Sequence, residues 1–331
     1  VPKTSSRRPV VRRALGSTLL AAATLLAAAL PATAATAAAQ HGGPALSHRS
    51  SGCGENPGQG AGTSADHTLV SGGIERRYRV HLPADYRRNR PLPVVLAFHG
   101  QGRTSAYMEE LTGFDAVDAI AVYPQGAPGT EKGKPSWQGA PYSAPGVDDV
   151  RFTGDLITAL ERNLCVDETR VHAAGKSNGG GFTALLACRM PGRIASFSIA
   201  SGAFYPQSGP CEPTAPAPVL DFHGLADTTI PYDGNPAKGL PAVPDWLAGR
   251  AALAGCAPTS RDRDRGDGVT VRTWRHCDGR GALVHYRVAG LAHDWPSTSP
   301  NPDSDQPAVL DATPVMWQFM RHHPLRSRAG S

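Results

Sequence analysis

Val171-His172-Ala173-Ala174-Gly175-Lys176-Ser177-Asn178-Gly179-Gly180-Gly181 reads as an apolar strand, a Gly-x-Ser-x-Gly turn and the start of a helix. A sharp strand-to-helix turn lifts a serine hydroxyl clear of a sheet, and small residues on either side let strand and helix approach closely. The backbone amide of Asn178, at the new helix's N-terminus, can then face an oxyanion as it develops. The pentapeptide alone arises readily by chance in a chain with 37 glycines. Its strand–turn–helix setting is what makes Ser177 the candidate nucleophile.

Outward from this turn, short apolar runs alternate with helical stretches. Candidate strands are Arg77–Leu82, Val94–Phe98, Ile120–Tyr123, Val171–Ala174, Ile194–Ala200, Val219–Phe222 and Leu283–Val288. Several are continuously apolar, as strands buried on both faces are. Helices are expected at 105–112, 149–164, 178–189 and 245–254, with a last one near 307–322. Such alternation implies an α/β fold with a mostly parallel central sheet and helices on both faces. Ligands on such sheets bind beyond the carboxyl ends of the strands. The charge-alternating stretch Arg261–Gly268 reads as a solvated loop.

A serine nucleophile needs a base, and the base needs an orienting acid. Asp227 follows the strand Val219–Phe222, where the acid belongs. Asp221 lies inside that strand and Asp233 further out in the loop. His293 follows the strand Leu283–Val288, where the base belongs. Its competitors are less well placed: His285 is inside that strand, His276 precedes it, and His322 and His323 are at the tail. His99 and His223 each precede a glycine at a strand end and suit loop shaping. The order Ser177, Asp227, His293 is that of the α/β-hydrolase fold. A second oxyanion donor should come from the loop after an early strand. Val94–Phe98 runs into His99-Gly100-Gln101-Gly102, so the Gln101 amide is the candidate, against the reading of a plain glycine turn.

Composition narrows the function classes. Lys3, Arg7, Arg8, Arg12 and Arg13 precede an Ala/Leu-rich run (14–30) and then small residues. That order describes a secretory signal peptide, with cleavage after Ala34, Ala37 or Ala39. The domain plan is therefore a signal peptide over 1–39, an irregular lead-in over 40–65, a catalytic domain over 66–322 and a tail over 323–331. The whole chain carries 33 basic and 28 acidic residues, a net +5. Five of the basic residues belong to the leader, so the mature part is about neutral and offers no basic patch for nucleic acid. The apolar run is short for a stable membrane anchor. All six cysteines lie in the mature part, which behind an export signal favours three disulfides. Cys256–Cys277 is the best single pairing. No C-x-x-C spacing suggests a metal site.

Several segments together resemble secreted feruloyl esterases, in a group that also holds acetylxylan esterases and polyhydroxybutyrate depolymerases. They are Phe98-His99-Gly100-Gln101-Gly102-Arg103, Ser136-Trp137-Gln138-Gly139-Ala140-Pro141-Tyr142, Gly146-Val147-Asp148-Asp149-Val150, Gly175-Lys176-Ser177-Asn178-Gly179-Gly180-Gly181-Phe182 and His293-Asp294-Trp295-Pro296. The likeness runs from about Cys53 to about Met320. One departure is Leu291-Ala292, where a third glycine is expected before His293. The resemblance implies Ser177, Asp227 and His293 as the triad. It also puts Trp137 near the substrate, where an indole would stack on a phenolic or sugar ring; a packed core tryptophan is the alternative. Trp295 either walls the pocket or holds the base. Asp148 and Asp149 are more simply N-cap residues.

The expected activity is hydrolysis of a carboxylic ester through an acyl-enzyme, outside the cell and with no metal or organic cofactor. By resemblance the substrate is a hydroxycinnamate esterified to plant arabinoxylan. Acetylxylan or short polyesters are the alternatives within the same chemistry. A non-catalytic polysaccharide-binding protein on a hydrolase fold is the alternative outside it.

Overall fold

The computed structural model describes residues 48–326, except 214. The leader expected over 1–39 lies outside the described residues. Two antiparallel strands open the fold, β1 (Thr63–Ser71) and β2 (Ile74–Leu82). They are joined through Gly72 and Gly73, both at positive φ (58° and 81°), so Ser71 pairs with Ile74 across a two-residue turn. Left-handed conformations at both central positions define the tight hairpin turn that matches strand twist. β1 is not among the expected strands, and its first three residues fall in the stretch expected as an irregular lead-in. It is a polar edge strand with only one paired side, so it lacks an apolar run.

The central strands are β3 (Leu92–Phe98), β4 (Ile120–Pro124), β7 (Val166–Lys176), β8 (Ser196–Ala200), β9 (Pro218–Gly224) and β12 (Ala282–Val288). A small ribbon, β5 (Ala127–Pro128) with β6 (Pro135–Ser136), stands apart. The stretch taken for a solvated loop is instead most of a hairpin, β10 (Ser260–Asp264) with β11 (Val269–Trp274). Asp262 lies opposite Arg272 there and pairs with it at 2.7 Å. A fully exposed, charged edge strand carries no apolar signal, and its charges discourage pairing with other chains. The ten-stranded order is β1-β2-β4-β3-β7-β8-β9-β12-β11-β10. Its six central strands are parallel, with antiparallel strands at both edges.

Alternation along the buried strands fills two cores. In β3, Leu92, Val94, Leu96 and Phe98 face one side, and Val95 and Ala97 the other. The first side is covered by α2 (Asp149–Asn163), α3 (Asn178–Arg189) and α4 (Val243–Leu253), through residues such as Phe152, Phe182 and Leu247. The second is covered by α1 (Ser105–Thr112) and α5 (Ala312–His322), through Met108, Leu111, Met316 and Met320. Helix α5 starts later than the expected 307, at an Asp311 N-cap position. Helices thus cover both faces, as the strand–helix alternation requires.

Three disulfides join Cys53–Cys165, Cys188–Cys211 and Cys256–Cys277. The last is the pairing the sequence favoured. The first pins the lead-in beside the start of β7. There the buried Ser50 hydroxyl donates to the Leu164 carbonyl at 2.7 Å and accepts the Val166 amide at 2.9 Å.

Candidate active site

Ser177 sits between β7 and α3 with φ 56° and ψ −121°, a backbone conformation that a non-glycine residue rarely adopts. Its surroundings hold it there. The Ser177 amide donates to the Ala200 carbonyl at 3.0 Å, and its carbonyl accepts the amides of Gly181 (2.9 Å) and Ala203 (3.0 Å). The flanking glycines permit the close approach. A Cβ at Gly175 would lie 2.2 Å from the Gly179 carbonyl oxygen, and one at Gly179 would lie 2.1 Å from that of Phe98.

Sheet order brings the partners to the same edge. Asp227 follows β9 and His293 follows β12, and these two strands are neighbours. His293 Nδ1–H donates to Asp227 Oδ2 at 2.8 Å. Asp227 Oδ1 accepts the amides of Thr229 and Ile230 at 2.9 and 2.8 Å. Burial opposes ionisation of Asp227. The hydrogen bond and charge of His293, with the Ile230 amide, outweigh it and hold the carboxyl below its ordinary value. The Asp227–His293 pair is therefore assembled, whereas no hydrogen bond joins His293 to Ser177 Oγ. Asp221, the rejected acid, pairs with His285 at 2.8 Å inside the sheet.

Gly100 lies against Ser177, since a Cβ there would meet Ser177 Cβ at 3.3 Å. Among the described residues, the amides of Gln101 and Asn178 have no protein acceptor. The Gln101 side chain donates to Glu131 at 2.9 Å. His99 shapes this loop. Nε2 accepts the Gly126 amide at 3.0 Å, and Nδ1–H donates to the Gly100 carbonyl at 2.7 Å. Burial lowers its pKa to about 4, so the ring is neutral. His223 does the same after β9, donating to the Ile230 carbonyl at 2.8 Å.

Both tryptophans expected at the substrate are corrected. Trp137 is 0% exposed and Trp295 2%. Trp137 stacks on Phe182 and meets Phe98 edge-on, and its indole N–H donates to the His99 carbonyl at 2.9 Å. Trp295 packs against Phe114 and donates to the Thr313 hydroxyl at 3.1 Å. An aromatic residue next to polar neighbours looks the same in sequence whether it faces a cleft or a core. The motif segments instead lock together. The Trp137 amide donates to Asn178 Oδ1 (2.8 Å) and the Gln138 amide to Asp149 Oδ2 (2.7 Å). Asp149 also pairs with the buried Arg76 at 2.7 Å. Asp148 is the α2 N-cap, accepting the Arg151 amide. We expect Trp137→Phe to lower stability by about 1–3 kcal/mol, the cost of a buried carbonyl left unpaired. KM for a small ester should stay unchanged; a raised KM at full stability would return Trp137 to the substrate.

Sequence reasoning missed Asp303. Its Oδ2 lies 2.7 Å from Lys176 Nζ and accepts the Trp295 amide at 2.9 Å, while Oδ1 accepts the Tyr107 hydroxyl. One carboxylate thus ties the nucleophile turn to the His293 loop. Ser201 adds a second tie, donating to the Asp294 carbonyl at 3.3 Å. His81, Glu109 and Asp115 approach one another closely enough to hold a cation. Glu109, however, is paired with Arg79 and accepts the Ser64 hydroxyl.

The sequence matches the model of a protein family described as "Putative esterase" over residues 71–265. The chain belongs to this esterase family. It is a carboxylic ester hydrolase with an α/β-hydrolase fold. The esterase is 29% identical over 277 residues to "Putative esterase NocK" of Nocardia uniformis subsp. tsuyamanensis, covering 76% of this chain and 78% of that protein. It is 27% identical over 280 residues to feruloyl esterase D of Neurospora crassa, covering 82% and 89%. A match to feruloyl esterase B of Piromyces equi, at 27%, covers 62% of the esterase and 40% of that protein. Among solved structures, acetyl xylan esterase from Aspergillus awamori superposes with a TM-score of 0.52 at 15% identity, over 70% of the esterase and 94% of that chain. At that identity the likeness concerns the fold alone.

Proposed function

We propose that the esterase hydrolyses its ester through an acyl-enzyme on Ser177. The carrying observation is the assembled Asp227–His293 pair at the sheet edge where the strained Ser177 turn stands. In this mechanism His293 Nε2 takes the Ser177 hydroxyl proton as Oγ attacks the ester carbonyl. Asp227 keeps the proton on Nδ1 and balances the imidazolium charge. The tetrahedral oxyanion lies between the Gln101 and Asn178 amides, which are free to donate. Collapse expels the alcohol with the His293 proton. Water, deprotonated by His293, then releases the acid. Catalytic hydrogen bonds of this kind tighten when substrate is bound, so the absent Ser177–His293 bond is compatible with the role.

The Gln101 assignment concerns a backbone N–H. Gln101→Pro, which deletes it, is expected to cost about 3 kcal/mol of transition-state stabilisation, or roughly 10²-fold in kcat. Gln101→Ala should stay within a few-fold of wild type. Equal losses in both variants would assign the role to the side chain instead.

Our reading of the substrate is a hydroxycinnamate ester of plant cell-wall polysaccharide. It is supported by the segments that resemble those of feruloyl esterases and by the relatives that carry that name. Export through the leader fits three disulfides, and no helix among the described residues is long and apolar enough to cross a membrane. The test compares kcat/KM for methyl ferulate, aryl acetates and short hydroxybutyrate esters. Methyl ferulate should be the best substrate. Turnover confined to acetates, or to hydroxybutyrates, would replace this reading with the corresponding alternative.

A further inference from the structure

We propose that the esterase has a second ligand site, a cleft between α3 and α4 that binds a monocarboxylate with an apolar body, its carboxylate on Arg250. This inference does not rest on the serine mechanism.

Three cations are buried among the described residues: Arg76, Lys176 and Arg250. The first two have carboxylates at 2.7 Å. Arg250 is 6% exposed and has none. Its Nη1 donates only to the sulfurs of the Cys188–Cys211 disulfide, at 3.0 and 2.7 Å, and its Nε has no acceptor. Disulfide sulfur is neutral and a weak acceptor, so no described residue balances the guanidinium charge. Burial draws its pKa down only to about 10, and it stays charged at neutral pH. A buried charge without a counter-charge is costly, and an apolar side chain would fill this position better. The missing partner is therefore an anion that comes from outside.

The cleft around Arg250 defines the rest of the ligand. It encloses about 620 Å³, within the range of small-molecule sites. Its walls are apolar, formed by Leu185, Phe204, Leu240, Trp246 and Leu253. Phe204 and Trp246 stack face to face, with centroids 3.6 Å apart. Arg250 follows Trp246 by one helical turn, so cation and aromatic pair share a face of α4. One charge at one point in an apolar cleft matches a monoanion with an apolar body. A planar carboxylate fits a guanidinium fork bidentately.

The cleft runs along α3 from Gly181, one turn beyond Ser177, to Arg250, and it is the Arg250 end that lies out of reach of an acyl group on Ser177. Cys188, which touches Arg250, lies eleven residues along α3 from Ser177, about 16 Å at the helical rise. A hydroxycinnamoyl group does not reach that far from its carbonyl carbon. The ligand is thus a free carboxylate. Aromatic acids released by ester hydrolysis and aliphatic acids both have this chemistry.

The test measures binding to Ser177→Ala protein by calorimetry, with Trp246 fluorescence as a second readout. The probes are ferulate, octanoate and their neutral primary amides. Carboxylates should bind about tenfold or more tightly than the matching amides. Adding Arg250→Met should abolish that preference without altering aryl acetate turnover in the Ser177 enzyme. Tighter ferulate than octanoate assigns the site to aromatic acids, and the reverse order to aliphatic ones. Should Arg250→Met not fold, Leu185→Trp fills the cleft from α3 and should block binding. Carboxylate binding that survives either substitution, equal binding of acid and amide, or no binding at about 10 mM ligand overturns the proposal.

Discussion

Ser177→Ala is expected to reduce ester hydrolysis on the order of 10⁶-fold, because the nucleophile and its base act as one unit. Initial rates on an activated aryl ester measure this. Labelling by a fluorophosphonate, read as a mass shift on the intact protein, should vanish in the same variant. Folding should hardly change. Alanine keeps the Cβ, so the strained backbone at φ 56° is neither relieved nor worsened. Ser177→Gly offers a contrast. It should be as inactive, yet more stable than wild type by about 1 kcal/mol or more, since glycine tolerates that conformation. Activity above trace level in Ser177→Ala would remove the acyl-enzyme mechanism.

Asp303→Ala is expected to destabilise the esterase by about 3–5 kcal/mol, the usual cost of removing one partner of a buried ion pair. The Lys176 and Asp303 side chains are 8% and 3% exposed. The substitution strands the ammonium of Lys176, the residue before Ser177, and frees the Trp295 amide two residues from His293. Urea denaturation should report the stability loss. Below the transition, kcat should fall more than KM rises, because the carboxylate positions the base loop without touching substrate. A double variant, Lys176→Met with Asp303→Leu, should recover most of the stability, since no buried charge is left alone. It should not recover kcat. A loss under about 1 kcal/mol with normal kcat would reduce Asp303 to a surface-like contact.

How legible the fold was depended on where each strand lies. β3, β4, β8 and β9 are buried throughout, and β7 and β12 hold buried apolar residues such as Val171, Ala173, Leu283 and Val288, so composition announces them. β1 and β10 are edge strands whose exposed residues, apart from Val70, are Thr, Ser, Asp and Arg, and little in their composition separates them from loops. The Gly72–Gly73 pair was the available signal for the first hairpin. At the candidate site, the Asp227–His293 pairing was legible in chain order because each residue follows a central strand. For Trp137 and Trp295 burial favours the packed alternatives over substrate contact, because a motif does not say which way a ring points.

The sequence by itself determined the sharp turn at Ser177. Gly175, Ser177 and Gly179 make it through sterics confined to a few residues, and such local constraints are written where they act. Tertiary structure alone decided the rest. It buried both indoles, set Asp303 against Lys176 across more than a hundred residues, and left Arg250 with sulfur for a neighbour. Each depends on which distant segments pack together, and a pairing across the fold leaves no mark in the local pattern of either partner. Ser177 could therefore be singled out from eleven residues, whereas the carboxylate that steadies its turn could be found only in three dimensions.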